Sequence, residues 1–186
     1  MPSAASWILR VGLGLCFIGH GLVAIGVHEP WLGFFAPFSI DSSAGRALMP
    51  VIGWFDLVVA VFVVVRPELS FLPARAWLVW ALVWTIATAL MRPATGGDVF
   101  DVLVRGTNWG PALALLVAPR FALAVIVTAL ACVALGVAGG APLLPEGGVV
   151  DWLEKAGLFA LVLAAIVFLA RKRRKPPPTN AAPISR

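Results

Sequence analysis

The stretch Asp98-Val99-Phe100-Asp101-Val102-Leu103-Val104-Arg105-Gly106-Thr107-Asn108-Trp109-Gly110-Pro111-Ala112-Leu113-Ala114-Leu115-Leu116-Val117-Ala118-Pro119 decides how many times this chain crosses a membrane. Its second half, 110–118, is apolar but too short to span alone, because a crossing helix needs about 20 apolar residues. Its first half carries Asp98, Asp101, Arg105 and Asn108. Read as a loop or re-entrant segment, it leaves five spans and an outer N-terminus. Read as a span, it makes six and brings both termini inside.

The flanks are simpler. Apolar runs at 7–27, 47–65 and 76–91 precede the stretch, and runs at 121–137 and 152–170 follow it. They approach or exceed the roughly 18 residues that mark a transmembrane helix candidate. None alternates polar with apolar residues as a membrane β-strand must. Of the 186 residues 61% are apolar and only 12% charged, against about half and about a quarter in a soluble domain. Mean hydropathy is +0.97. There is too little charge to coat a soluble fold of this length. The first run is longer than a signal-peptide core and ends at His28-Glu29-Pro30 with no Ala-x-Ala site, so it reads as a retained span.

Within the first span Gly12, Cys16, Gly19, Val23 and Gly26 recur at alternating four- and three-residue steps, making one narrow face of mostly small residues. Helices in lipid associate by close packing at such faces, so this span is expected to be central. Trp31, Phe34, Phe35 and Phe38 put part of the 28–46 connection in the headgroup zone. Trp77, Trp80 and Trp84 share one helical face. They read either as a stacking wall for an aromatic ring or as an interfacial anchor (Trp77) followed by two packing residues. Cys16 and Cys132 fall in apolar runs and are expected to be buried thiols.

The net charge is +5, with an isoelectric point near 10.2. Five of the basic residues, Arg171, Lys172, Arg173, Arg174 and Lys175, directly follow the last apolar run. That is a stop-transfer pattern attracted to anionic lipid headgroups on the cytoplasmic side. No second basic patch with interleaved aromatics supports a nucleic-acid partner. With the cluster inside, the six-span and five-span assignments both put ten Lys and Arg inside and four outside. The positive-inside rule is therefore a tie. The polar, Pro-rich tail at 176–186 is expected to be disordered.

Leu9-Arg10-Val11-Gly12-Leu13-Gly14-Leu15 with Gly19-His20-Gly21-Leu22 resembles the opening helix of the DoxX-like membrane protein family. Ile52-Gly53-Trp54-Phe55-Asp56, in a run ending at Arg66-Pro67, is similar to its second helix. Arg105-Gly106-Thr107-Asn108-Trp109-Gly110-Pro111-Ala112-Leu113-Ala114-Leu115-Leu116 is similar to the start of its fourth. The resemblance covers about residues 7–118 and implies a four-helix transmembrane unit with both termini inside. It breaks the tie toward six spans. The fold class expected is thus an all-α membrane protein. A four-helix transmembrane bundle (1–118) is followed by a C-terminal transmembrane hairpin with its basic anchor (119–175), and five spans are the alternative. The location expected is the cell membrane, multi-pass, with cytoplasmic termini. Members of the family are associated with quinone-linked oxidoreductase complexes, including thiosulfate oxidation, and with oxidative-stress assemblies, while many have no known activity. The resemblance therefore implies quinone as cofactor and a soluble redox subunit as partner, and it transfers no catalytic residue.

Ionisable groups inside a bilayer are costly and point to a site facing the protein interior. His20 and Asp56 lie about seven and nine residues from the same connection, at about 1.5 Å per residue the same depth. A His20–Asp56 pair either donates to a quinone carbonyl or passes it a proton, or is a helix–helix hydrogen bond that fixes packing. If 98–118 spans, Arg92, Asp98, Asp101, Arg105 and Asn108 lie on that side too. They form either the polar pocket of a ligand site or an ion-paired collar at the headgroups. Arg10, at the other end of the first span, is expected to snorkel to the interface. His20 and His28 are eight residues apart, offset by about 80° on a helix, which argues against a bis-histidine haem. The sequence contains no Cys-x-x-Cys, phosphate loop or Gly-x-Ser-x-Gly motif. Three functions remain: a quinone-interacting membrane subunit of an oxidoreductase complex, a small-molecule or ion transporter, and an assembly protein without chemistry of its own. No inverted repeat or pair of broken helices is visible to favour the transporter.

Overall fold

Long runs of Leu, Val, Ala and Trp fold as helices here because an apolar medium requires every backbone N–H and C=O to be paired within its own segment. The computed structural model describes residues 3–65, 73–117, 119–140 and 149–173. These residues contain no strand. They form α1 (Ser3–Ile25), a 3-10 helix (Glu29–Phe38), α2 (Ser42–Val64), α3 (Ala74–Ala94), α4 (Phe100–Val104), α5 (Gly106–Leu116), α6 (Pro119–Ala138), α7 (Val149–Glu154) and α8 (Ala156–Arg173). Among the described residues four helices, α1, α2, α3 and α6, are long and apolar enough to cross a membrane, and α8 has a shorter apolar stretch. That is consistent with an integral membrane protein in a lipid bilayer. Their outward faces carry Val51, Trp54, Val83, Leu135 and Ile166, each more than half exposed. Most of the link expected after 65, the residues Arg174 and Lys175 of the basic anchor, and the tail lie outside the described residues.

Two boundaries differ from the sequence reading. The helix expected from residue 47 starts at Ser42, because Asp41 caps it by accepting from the backbone N–H of Ser43 and Ala44. The 28–46 connection is itself mostly helical. The 98–119 stretch is two helices broken at Arg105, and α7 and α8 are likewise broken at Lys155. Pairs of broken helices are therefore present where none was expected.

α1 is central, packing on α2, α5, α7 and α8. Its small residues make two faces, not one. Gly14 and Gly21 meet α2, whereas Gly12 meets Ala160 of α8 and Gly26 is exposed. A Cβ on Gly53 would lie 2.5 Å from the Gly21 carbonyl, and one on Gly21 would lie 2.8 Å from that of Gly53. The two backbones are in mutual contact there. Arg10 does not simply reach for headgroups. Its Nη1 donates to the Val63 carbonyl at 2.9 Å, satisfying one of the last carbonyls of α2 at the negative end of its dipole.

α5 packs on α1, α3, α6 and α8. Its residues Gly106, Thr107, Asn108, Gly110, Pro111, Ala112 and Ala114 are buried. Pro111 has no N–H to give the Thr107 carbonyl, and that carbonyl instead lies against Gly157 of α8. Close approaches run in reverse order along α6: Phe100 to Gly139, Val104 to Gly136, Gly106 and Gly110 to Ala129. α4 and the start of α5 therefore run antiparallel to the second half of α6, from Ala129 onward. Two apolar clusters flank this axis. One holds Leu13, Phe17, Val59, Val63, Trp77 and Leu78, the other Leu9, Ile126, Ala129, Leu161 and Ala164.

Replacing Gly53 with Leu should lower stability by about 1–3 kcal/mol through overpacking, whereas Gly26→Leu should change it by less than about 0.5 kcal/mol. Thermal unfolding in detergent measures both. The Asp41 carboxyl is held below its ordinary 3.8 by the Ala44 N–H, the Ser43 hydroxyl and the Ser43 N–H. Its contribution is therefore complete above the unfolded value and lost as pH falls through the lowered one. The stability gap between wild type and Asp41→Ala should close as the pH is taken well below 3.8.

Candidate functional site

A cavity of about 270 Å³ lies between α1, the 3-10 helix, α2, α3 and the α4–α5 junction. Cys16, Phe17, His20 and Ala24 form its α1 wall, and Met49, Ile52 and Asp56 its α2 wall. Trp84, Thr85, Thr88, Met91 and Arg92 line it from α3, and Trp31, Phe34, Phe35 and Phe38 from the 3-10 helix. Arg105, at the helix break, and Asn108 complete it. Five of the six candidate residues, His20, Asp56, Arg92, Arg105 and Asn108, thus share one cavity. Asp101 sits outside the lining, with an oxygen 3.7 Å from Arg92 Nη1. Asp98 accepts from the Phe100 N–H at the start of α4. The surface they share is mainly aromatic and aliphatic, not the polar pocket anticipated.

His20 has a defined tautomer. Its Nδ1 lies 2.9 Å from the Cys16 carbonyl, which can only accept, so Nδ1 carries the proton. Its Nε2 faces Arg105 Nη1 at 3.4 Å, and a guanidinium can only donate, so Nε2 accepts. The ring is neutral, with its lone pair turned to a cation, and stacks on Trp31 with centroids 5.8 Å apart.

Asp56 is 3% exposed. The neighbouring donor to its carboxyl group is the Trp84 side chain, and its Oδ1 is buried without a hydrogen-bond partner. His20 and Asp56 therefore line the same cavity with different neighbours, and the direct pair expected from their depth is replaced by a His20–Arg105 contact. Arg105 sits at the break after Val104 and reaches the α1 wall there. Asn108 is oriented by Thr107, whose hydroxyl donates to Asn108 Oδ1 at 2.8 Å, leaving the amide N–H groups as the donors on that wall. The hydroxyls of Thr85 and Thr88 donate back to carbonyls of their own helix. The Arg92 guanidinium lies over the Phe34 ring, 5.9 Å from its centroid.

The tryptophan stripe divides. Trp84 lines the cavity, Trp80 stacks on it at 5.9 Å and is exposed, and Trp77 is buried against Phe62 at 4.5 Å. The aromatic roof was not read as part of a site. Yet Trp31, Phe34, Phe35 and Phe38 follow the i, i+3, i+4, i+7 spacing of one helical face, the signal that would have found it. No protein-family model, curated protein or solved structure matches this chain.

Buried polar oxygens are normally satisfied. Asp56 Oδ1 is an exception, buried without a partner in a cavity that Arg92, Arg105, Asn108, His20, Thr85 and Thr88 also line. The His20–Arg105 contact should appear as non-additivity. His20→Ala and Arg105→Ala together should differ from the sum of the single effects on unfolding free energy by about 0.5 kcal/mol or more. Strict additivity would mean that the contact carries no energy.

Proposed function

We propose that this chain is a membrane subunit of an oxidoreductase complex that binds a quinone, or a chemically similar lipid-soluble aromatic carrier, in the cavity between α1, α2 and α3. The observation that carries this reading is the buried, unpartnered Asp56 Oδ1 in an aromatic-walled cavity. Ligand sites are mostly apolar with a few convergent polar groups. About 270 Å³ suits one substituted ring with its tail leaving toward lipid. Trp31 and Trp84 offer aromatic faces, Arg105 and the Asn108 amide offer donors to a carbonyl oxygen, and the Asp56 carboxylate offers an acceptor for the hydroxyl of the reduced, quinol form at the other side. A quinone supplies paired electron and proton transfer when bound. The chain's part is to hold the ring, exclude water and meet its oxygens. The resemblance of residues 7–118 to the DoxX-like family supports the same proposal, including a soluble redox partner.

The topology we propose has six crossings and both termini cytoplasmic. α4 and the start of α5 lie antiparallel along the second half of α6, itself long enough to cross, which favours a crossing for the 98–119 stretch over a loop. A reporter fused at the N-terminus should read as cytoplasmic, and a periplasmic reading would favour five spans.

A transporter is the second reading, favoured by the paired breaks at Arg105 and Lys155. α4 and α7 are only five and six residues long, so both breaks lie near the ends of their segments and not at mid-depth, which favours binding over transport. Mass spectrometry of the detergent-purified protein should find bound quinone and a partner subunit. Asp56→Asn and Arg105→Ala should each weaken quinone binding about tenfold, the equivalent of about 1.4 kcal/mol, while the fold survives. Wild-type protein without quinone, or quinone retained in both variants, would sink the proposal. Substrate flux in proteoliposomes would favour the transporter.

A further inference from the structure

We propose that the 3-10 helix Glu29–Phe38 is a hinged lid on the cavity, latched by the Glu29–Arg46 ion pair, and that its opening admits the ligand. The inference rests on reading that cavity as a ligand site. It begins with the backbone. Among the described residues the non-glycine positions with positive φ are Val27 (53°) and Ser39 (57°), and these bracket this one segment. Val27 sits where a helix end usually places glycine, and a β-branched residue there is a true outlier. Such conformations persist only where the surroundings hold them. Strain at both ends of one ten-residue element is the arrangement of a segment that relaxes by swinging on its ends.

The underside of the segment is the cavity roof. Trp31, Phe34, Phe35 and Phe38 line the cavity, with Trp31 stacked on His20 and Phe34 under Arg92. No residue of the segment is buried, and its N-cap residue His28 makes no side-chain cap. It is therefore held by half-buried contacts on one side and an exposed ion pair, with no fully buried residue of its own, as expected of the low-stability parts of a fold. It rests on Gly45, where a Cβ would meet Phe35 at 3.0 Å and Leu32 at 3.3 Å. The outer edge is fastened by Glu29 and Arg46, whose carboxylate and guanidinium meet fork to fork. Both side chains of that pair are more than half exposed. Exposed pairs hold weakly, as a latch that must open requires.

Cys16 gives a readout independent of any ligand. It lies on the α1 wall of the cavity at 1% exposure, whereas Cys132 is on α6 and partly exposed. The experiment measures the rate at which N-ethylmaleimide labels Cys16, relative to Cys132, by peptide mass spectrometry on the full chain. Arg46→Ala should speed labelling of Cys16 by up to about fivefold, and the charge swap Glu29→Arg with Arg46→Glu should restore the wild-type rate. Gly45→Leu, which props the roof from below, should also speed it. Val27→Gly, which adopts positive φ without strain, should slow it by stabilising closure. Equal rates in all variants, or a Cys16 that stays unlabelled in every one, overturn the lid. Absence of bound quinone would remove the functional proposal and leave the lid standing, and equal labelling rates with quinone present would do the reverse.

Discussion

Backbone-to-backbone contact through small residues is what the rest of this structure depends on. In lipid no hydrophobic force pushes helices together, because the solvent is as apolar as the side chains. Association then relies on dispersion, which falls off steeply with separation. Gly21 on Gly53, Gly12 on Ala160, Gly110 on Ala129 and Gly157 on the Thr107 carbonyl bring main chains within reach of one another. α5 can have four neighbours only because its buried face is made of Gly, Ala, Thr, Asn and Pro.

The same crowding creates the cavity. Where small residues meet, α1 and α2 cross closely, as at Gly21 and Gly53. Between them and α3, bulky aromatics cannot follow the backbone, and a space remains with Asp56 on its wall. Arg105, at the break before α5, reaches into that space. Arg105, at that interruption, seats a cation beside the aromatic roof and against His20 Nε2, while the Cys16 carbonyl within α1 holds the proton on Nδ1.

The 3-10 helix is the element whose placement is least determined by packing. Its aromatic stripe supplies contacts from one side only. Its ends are strained, and its fastening to α2 is an exposed ion pair. A ligand site needs both walls that keep their shape and a way in, and those demands fall here on different elements: α1, α2 and α3 for the first, the segment between Val27 and Ser39 for the second.

The helical character of the chain, its apolar spans and the membrane as its medium were legible from the sequence alone. They follow from local composition, and a run such as 121–137 has no other way to pair its backbone in lipid. The shared depth of His20 and Asp56 was legible for the same reason, since rise per residue is fixed. Their partners were not, because azimuth around a helix depends on which neighbours it meets. Gly14 and Gly21 turned out to face α2 while Gly12 faced α8, and a stripe of small residues carries no mark saying which helix will fill it. The roof was hidden by a different limit. A 3-10 helix held only by tertiary contact has little intrinsic stability, so Trp31, Phe34, Phe35 and Phe38 become one surface only when α1, α2 and α3 are there to receive them.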